Sequence, residues 1–325
     1  MGAAGPRTVC VFEIIFLGTS ASAPSVDRGL SAALLLYRDQ RFLIDCGEGT
    51  QRQLLRSGIG FRKLDKVLLT HGHLDHILGL GGMVSTFSRW ESMDALTIYG
   101  GQWALQRVED LMHVVLRGGE VDMRIEFVAI NPGTVWESDS MTVTAFPVTH
   151  RGPGVYGFAF EERSRRPFLA DEAARLGVPN GPERRLLVRG EPITLADGTV
   201  VHPEQVLGEE IRGTKYVHVG DAGRTDDLIA PCRDADALVI EATYTSDEAE
   251  MAARFGHLTA RQAAELAVAA NVKHLYLVHI SRRHAAREIV REARAVFPNT
   301  IVPKDLDHYR ITREGIERVK DTDGR

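Results

Sequence analysis

The chain has little cysteine, no long apolar run and no excess of positive charge, and each shortage excludes something. Its three cysteines, Cys10, Cys46 and Cys232, are odd in number and far apart. That argues against a disulfide framework and for a reducing compartment. Cys46 ends the run Phe42-Leu43-Ile44-Asp45-Cys46 and reads as a small core residue. The longest apolar runs, such as residues 32–37, are far too short to cross a bilayer, and no secretory leader is recognisable. Pro6 stands where a myristoylation signal needs Ser or Thr. These shortages set the expectation of a cytoplasmic protein without a membrane partner. Lys and Arg total 39 against 44 Asp and Glu, a formal net charge of -5. Overall charge therefore does not draw the chain to nucleic acid, and a polyanionic partner must be held by local basic features or by metal.

What is present is a globular composition, 44% apolar and 26% charged, in a chain of 325 residues. That is enough for one large α/β domain or two ordinary ones. Strand-like runs fall at 13–17, 32–37, 42–44, 67–70, 96–99, 124–130, 141–148, 155–160, 215–219, 237–240, 274–280 and 308–311. Helical stretches fall at 49–56, 78–90, 102–116, 259–270 and 285–296, with Gly118-Gly119 closing the third and Thr259 as N-cap of the fourth. Residues 1–8 read as a frayed terminus. From about 161 to 210 the pattern breaks. Residues 161–192 are rich in Arg, Gly and Pro with few adjacent large apolar side chains, so they read either as a projecting arm or lid or as an inconsequential surface insertion.

The densest chemistry is Lys66-Val67-Leu68-Leu69-Thr70-His71-Gly72-His73-Leu74-Asp75-His76. A short buried strand at 67–70 runs straight into three histidines and an aspartate. Strand alternation would put His71 and His73 on one face, and a following turn would aim Asp75 and His76 at a neighbouring spot. Imidazole and carboxylate together suit zinc or a similar borderline cation. Three more polar residues each end a strand-like run: His150, Asp221 and His279. Strand ends along one sheet edge converge on one crevice, and seven such ligands suffice for two ions if one carboxylate bridges and water completes the shells.

This His-x-His-x-Asp-His run, followed by a distant His, Asp and His, resembles the metallo-β-lactamase superfamily. The resemblance implies an α/β fold, the αββα four-layer sandwich, over nearly the whole chain (1–325) with an inserted projecting arm at approximately 161–210. It also implies two Zn²⁺ per subunit, with Mn²⁺ as an alternative. His71, His73 and His150 would hold one ion, Asp75, His76 and His279 the second, and Asp221 would bridge. Within the superfamily the chain resembles the ribonuclease Z family of tRNA 3′-processing endonucleases, in its short form. Phe16-Leu17-Gly18-Thr19-Ser20 and Asp45-Cys46-Gly47-Glu48-Gly49-Thr50-Gln51 look like that family's opening. Glu241-Ala242-Thr243 resembles its His-Glu-Ala-Thr motif with Ile240 in the first place, and Gly256-His257-Leu258-Thr259 its His-Ser-Thr motif with Leu258 for Ser. Val278-His279-Ile280-Ser281 matches well, with Arg283-His284 for the usual Arg-Tyr.

The activity implied is removal of the 3′ trailer from precursor tRNA by attack of metal-held hydroxide, leaving a 3′-hydroxyl on the tRNA and a 5′-phosphate on the trailer. Asp75 would also accept the water's proton, and His257, oriented by Glu241, would protonate the leaving oxygen. Gly181-Pro182, with Arg184 and Arg185 behind them, resembles the tip of the arm that grips the tRNA elbow, and the family implies a homodimer. The bland reading of His257 is a residue of the turn before the helix at 259, and that of Glu241 an ordinary strand-end carboxylate. Gly18, Thr19 and Ser20 offer either N–H groups to phosphate or a tight strand-ending turn. A small-molecule hydrolase of the same fold (arylsulfatase or cyclic phosphodiesterase) is the alternative. A non-catalytic RNA-binding protein fits poorly with a full ligand set.

Overall fold

The computed structural model describes residues 12–90, 94–116 and 123–319. Cys10, the frayed start and the Gly118-Gly119 helix stop lie outside them. The chain divides into a large unit, up to residue 138 with 142–161 and everything from 214, and a smaller one of 139–141 and 162–213.

The large unit is built on two sheets. One has eight strands in the order Ile316–Arg318, His308–Ile311, Phe12–Gly18, Ala32–Tyr37, Gln40–Ile44, Lys66–Leu68, Ala95–Gly100 and Arg124–Ala129. The other has seven: Thr300–Ile301, Leu275–Val278, Ala237–Glu241, Lys215–His218, Tyr156–Glu162, Met141–Pro147 and Gly133–Glu137. In each, a run of parallel strands joins an antiparallel meander. The central parallel strand Ala237–Glu241 is buried along its whole length because both its faces are covered, whereas the edge strand Arg124–Ala129 is not.

Aromatic side chains fill the space between the sheets. Phe12 meets Tyr216 at 6.3 Å between centroids, Phe16 meets Tyr276 at 5.5 Å, and Phe42 meets Phe160 at 5.5 Å and Trp136 at 5.1 Å. Outside the first sheet, helices Thr50–Arg56, Gly79–Trp90 and Gln102–Val115 close a core around Leu43, Val67 and Ile98. Outside the second, helices Ala260–Ala269 and Ala286–Arg294 close another around Leu238, Leu275 and Leu277. The result is the expected α/β four-layer sandwich. Thr259 caps its helix, accepting the Gln262 N–H at 3.3 Å.

Besides the two-residue strands Ile193–Thr194, Val200–Val201 and Thr300–Ile301, two longer strands escape the sequence reading, Gly133–Glu137 and Ile316–Arg318. Both are edge strands whose side chains are mostly exposed, so they carry almost no apolar alternation. The strand expected at 67–70 ends at Leu68. Consequently, strand alternation does not set the directions of His71 and His73.

The smaller unit holds helices Ala170–Arg175 and Pro182–Val188 and the two-stranded pair Ile193–Thr194 and Val200–Val201. Ala173, Val178, Leu187, Ile193, Val201 and Val206 form its core. These residues come from short segments spread between 173 and 206, none with the length of a core strand or helix, which is why a search for long apolar runs finds no core there.

Candidate metal centre and its surroundings

His71 and His73 lie in extended loop between strand Lys66–Leu68 and a one-turn helix, Leu74–Ile77, that carries Asp75 and His76. His73 is the helix N-cap, with φ -68° and ψ 150°. From the other sheet come His150 beyond Met141–Pro147, Asp221 beyond Lys215–His218, and His279 directly after Leu275–Val278. Gly220 is required where the halves meet: a Cβ there would lie 2.7 Å from Thr70 Oγ1.

All seven predicted ligands come together, in two groups. His71, His73, His150 and Asp221 form one; Asp75, His76 and His279 form the other. In the first, His71 Nε2 and His73 Nδ1 are 2.8 Å apart and His150 Nε2 is 3.3 Å from His73 Nδ1. Asp221 faces both groups. Its Oδ2 lies 3.7 Å from His71 and 3.6 Å from His150, and its Oδ1 lies 3.4 Å from His76 and 3.3 Å from His279. Asp75 Oδ2 is 3.3 Å from His279 Nε2 and accepts the Ser22 N–H at 3.0 Å.

Hydrogen bonds behind the rings fix which nitrogen faces the centre. Asp45 Oδ2 accepts from His76 Nδ1 at 2.7 Å and from the Thr70 hydroxyl at 2.7 Å. Thr70 has spent its only proton, so His71 Nδ1–H donates to it at 3.0 Å. Glu241 and Thr243 repeat the device. Glu241 Oε1 accepts from His257 Nδ1 at 2.8 Å, Oε2 accepts the Thr243 hydroxyl at 2.5 Å, and Thr243 accepts from His279 Nδ1 at 2.9 Å. The Gly256 carbonyl accepts from His150 Nδ1 at 2.6 Å. Each of these bonds leaves an Nε2 lone pair for the interior. Asp45 and His279 both sit at left-handed φ, 57° and 56°, a strained setting for residues other than glycine and common at functional sites.

The electrostatics of His71, His73 and Asp221 fit a cation, whereas at His76 burial is outweighed by the Asp221 and Asp45 charges, which push it well up. Burial, and then the neighbouring imidazoles, push His71 well below the ordinary histidine range; burial and His150 take His73 down to about 4. Burial works against ionised Asp221, yet His279 and His76 hold its carboxyl well below the usual range. His76 Nε2 and Asp221 Oδ1 are buried without any hydrogen-bond partner. Buried acceptors of this kind are costly unless something positive joins them. The cluster is a metal-binding site by its donor set and setting.

His257 lies beside both groups, 4.0 Å from Asp221 Oδ2, but differs from their rings in charge. Burial lowers its pKa, but the adjacent Glu241 charge and hydrogen bond more than offset this and raise it to about 9. It lines a cavity of about 510 Å³ with His73, Asp75, His150, Asp221 and Arg107. Asp45, Thr70 and Thr243 had no assigned role in the sequence reading. The available signal was an acid ending a buried strand, the same signal that singles out Asp221. The Ser20 N–H goes to the Gly29 carbonyl and Thr19 Oγ1 to Asp305, so the Ser20 amide is already engaged within the fold. Of the other histidines, His218 is buried against Tyr216 Oη at 2.8 Å, His284 pairs with Glu248 and His308 with Glu13, both at 2.7 Å. In the smaller unit Arg184 bonds the Val178 and Pro179 carbonyls and stacks 5.5 Å from the Phe168 centroid, while Arg185 is exposed on the helix begun by Gly181-Pro182. Cys46 and Cys232 are buried, which pushes each thiol up to about 12.

Residues 12–173 match the model of the anti-Pycsar protein Apyc1, and residues 185–280 that of the β-lactamase superfamily domain. The ribonuclease Z of Bradyrhizobium diazoefficiens is 46% identical over 298 residues, covering 92% of this chain and 99% of that protein. Human tRNase Z, short form, shares the fold at a TM-score of 0.64 and 24% identity, covering 91% of this chain and 98% of that one. The metallo-β-lactamase fold protein YhfI of Bacillus subtilis does so at 0.66 and 19%, covering 93% and 99%. Among the described residues no helix is long and apolar enough to cross a membrane.

Proposed function

The chain belongs to the ribonuclease Z family, metal-dependent endoribonucleases, and on that premise we propose that it removes the 3′ trailer from precursor tRNA with two zinc ions. The tRNA keeps a 3′-hydroxyl and the trailer a 5′-phosphate. The observation that carries this reading is the split environment of Asp221, one oxygen toward each group of imidazoles, beside orphaned buried acceptors. His71, His73 and His150 would hold one ion and Asp75, His76 and His279 the other, with Asp221 between them; Mn²⁺ could replace Zn²⁺ at such donors. Bound there, the pair supplies an activated water at neutral pH and neutralises charge developing on phosphorus. The side chains do the rest. Asp75, steadied by the Ser22 N–H, accepts the proton of the attacking water. His257, held at Nδ1 by Glu241, turns Nε2 to the cavity and gives a proton to the leaving oxygen.

In this reading 1–325 is one catalytic domain and the unit at 162–213 is its inserted tRNA-binding arm, presenting Gly181, Pro182, Arg184 and Arg185. A homodimer would let one subunit's arm serve the other's site. The test is end-labelled precursor tRNA incubated with purified protein, with and without chelator. One cut just past the acceptor stem, abolished by chelator and restored by zinc, is expected; intact or randomly nicked RNA rejects the reading. Deleting 165–190 separates it from a small-molecule hydrolase. KM for precursor tRNA should rise steeply while bis(p-nitrophenyl) phosphate is still hydrolysed, whereas equal losses on both would favour the small-molecule reading.

A further inference from the structure

The cavity over the metal centre is lined mostly by polar groups, with Arg107 and Arg151 among them, yet two of its side chains are apolar and open to solvent. Leu74 is 47% and Phe255 38% exposed. Phe255 is the last residue of helix Ala249–Phe255. Gly256 follows at φ 74°, its carbonyl holding His150 Nδ1, and the next residue is His257, whose N–H bonds the Ala252 carbonyl at 2.9 Å. The ring is therefore carried on backbone that runs directly into Gly256, which holds His150, and into His257. The Arg254 guanidinium lies 5.6 Å from its centroid, a cation–π contact that backs the ring.

We infer that Phe255 is a stacking platform for the nucleobase adjoining the scissile phosphate, a subsite that rests on the RNA reading above. A phosphodiester seated over the ligands has a base on each side, and the ring borders that seat. Stacking suits a substrate whose sequence varies at the cut, because every base has a π-face. Arg107, fixed by its bond to the Gly72 carbonyl at 2.9 Å and lying 5.3 Å from the Trp103 centroid, is placed to meet a neighbouring phosphate.

The test is a coupling measurement. Precursor tRNA carrying a single abasic nucleotide on either side of the cut is compared with intact RNA for the wild type and for Phe255→Ala, Phe255→Leu and Phe255→Tyr. For the wild type, kcat/KM should fall on the order of ten-fold at one of the two positions. That penalty should shrink to about two-fold or less in Phe255→Ala and Phe255→Leu, which lack a π-face, and persist in Phe255→Tyr. Phe255→Leu keeps the apolar bulk and so guards against a folding defect in the alanine variant. Equal penalties in wild type and Phe255→Leu, or no penalty in the wild type at either position, would overturn the stacking alone. Failure of the wild type to cut intact RNA would overturn the RNA reading and the subsite together.

Discussion

The two sheets answer one chemical problem with the same three-part device and put it to different uses. On the first sheet Asp45 holds His76 directly and His71 through Thr70; on the second Glu241 holds His257 directly and His279 through Thr243. The difference lies in the directly held imidazole. His76 is buried with its free nitrogen facing Asp221, so the Asp45 side is a closed cradle. His257 borders open cavity, so the Glu241 side keeps an imidazole available to a substrate. A buried carboxylate thus fixes ring orientation in both places, and the rings differ in what lies on the far side, buried Asp221 for His76 and open cavity for His257.

The sharpest way to break this comparison is His257→Ala. Turnover on precursor tRNA should fall about 10²- to 10⁴-fold, the usual worth of a positioned acid, while metal content stays at wild-type level. Metal loss measured by atomic absorption would put His257 among the ligands instead. Next is Asp45→Asn, a residue that tolerates the same left-handed backbone. Affinity should fall about 10- to 100-fold at both sites in a competitive chelator titration, because one carboxylate orients a ligand of each. A change confined to one site would break the shared role. Glu241→Gln comes third. Glu241 accepts from Ala222 N at 2.7 Å and Leu258 N at 3.2 Å as well as from His257 and Thr243. An amide cannot accept at both ends, so unfolding in denaturant should show a loss of about 1–3 kcal/mol. The smallest effects belong to the threonines. Thr70→Val should weaken metal only, whereas Thr243→Val should lower both metal affinity and turnover, each by up to about ten-fold; identical profiles would erase the distinction between the halves.

The architecture and the cluster at His71–His76 were legible because their signals are local. Apolar runs mark buried strands, and ligand residues crowd into six positions or end a strand. What stayed hidden depends on tertiary contact. Thr70 and Thr243 look like any β-branched residue beside a strand until a carboxylate from elsewhere claims the hydroxyl proton. The actual setting of His71 and His73 was missed because the chain leaves the sheet at Leu68 although Leu69 and Thr70 still have strand-like character. The core of the 162–213 unit was missed because its members, such as Val178, Leu187 and Val206, sit in short segments separated by polar and Gly- or Pro-containing stretches.

Neither half of the sandwich owns a complete ligand group: His71 and His73 come from one side, His150, Asp221 and His279 from the other. A cation seated there is consequently a cross-tie, and its binding energy is also folding energy. At a free ion concentration one hundred times its dissociation constant, such a tie adds about 2.7 kcal/mol to the folded state. A metal bound there would then tie the two sheets together as well as serve the chemistry, and neither sheet alone offers either ligand group in full.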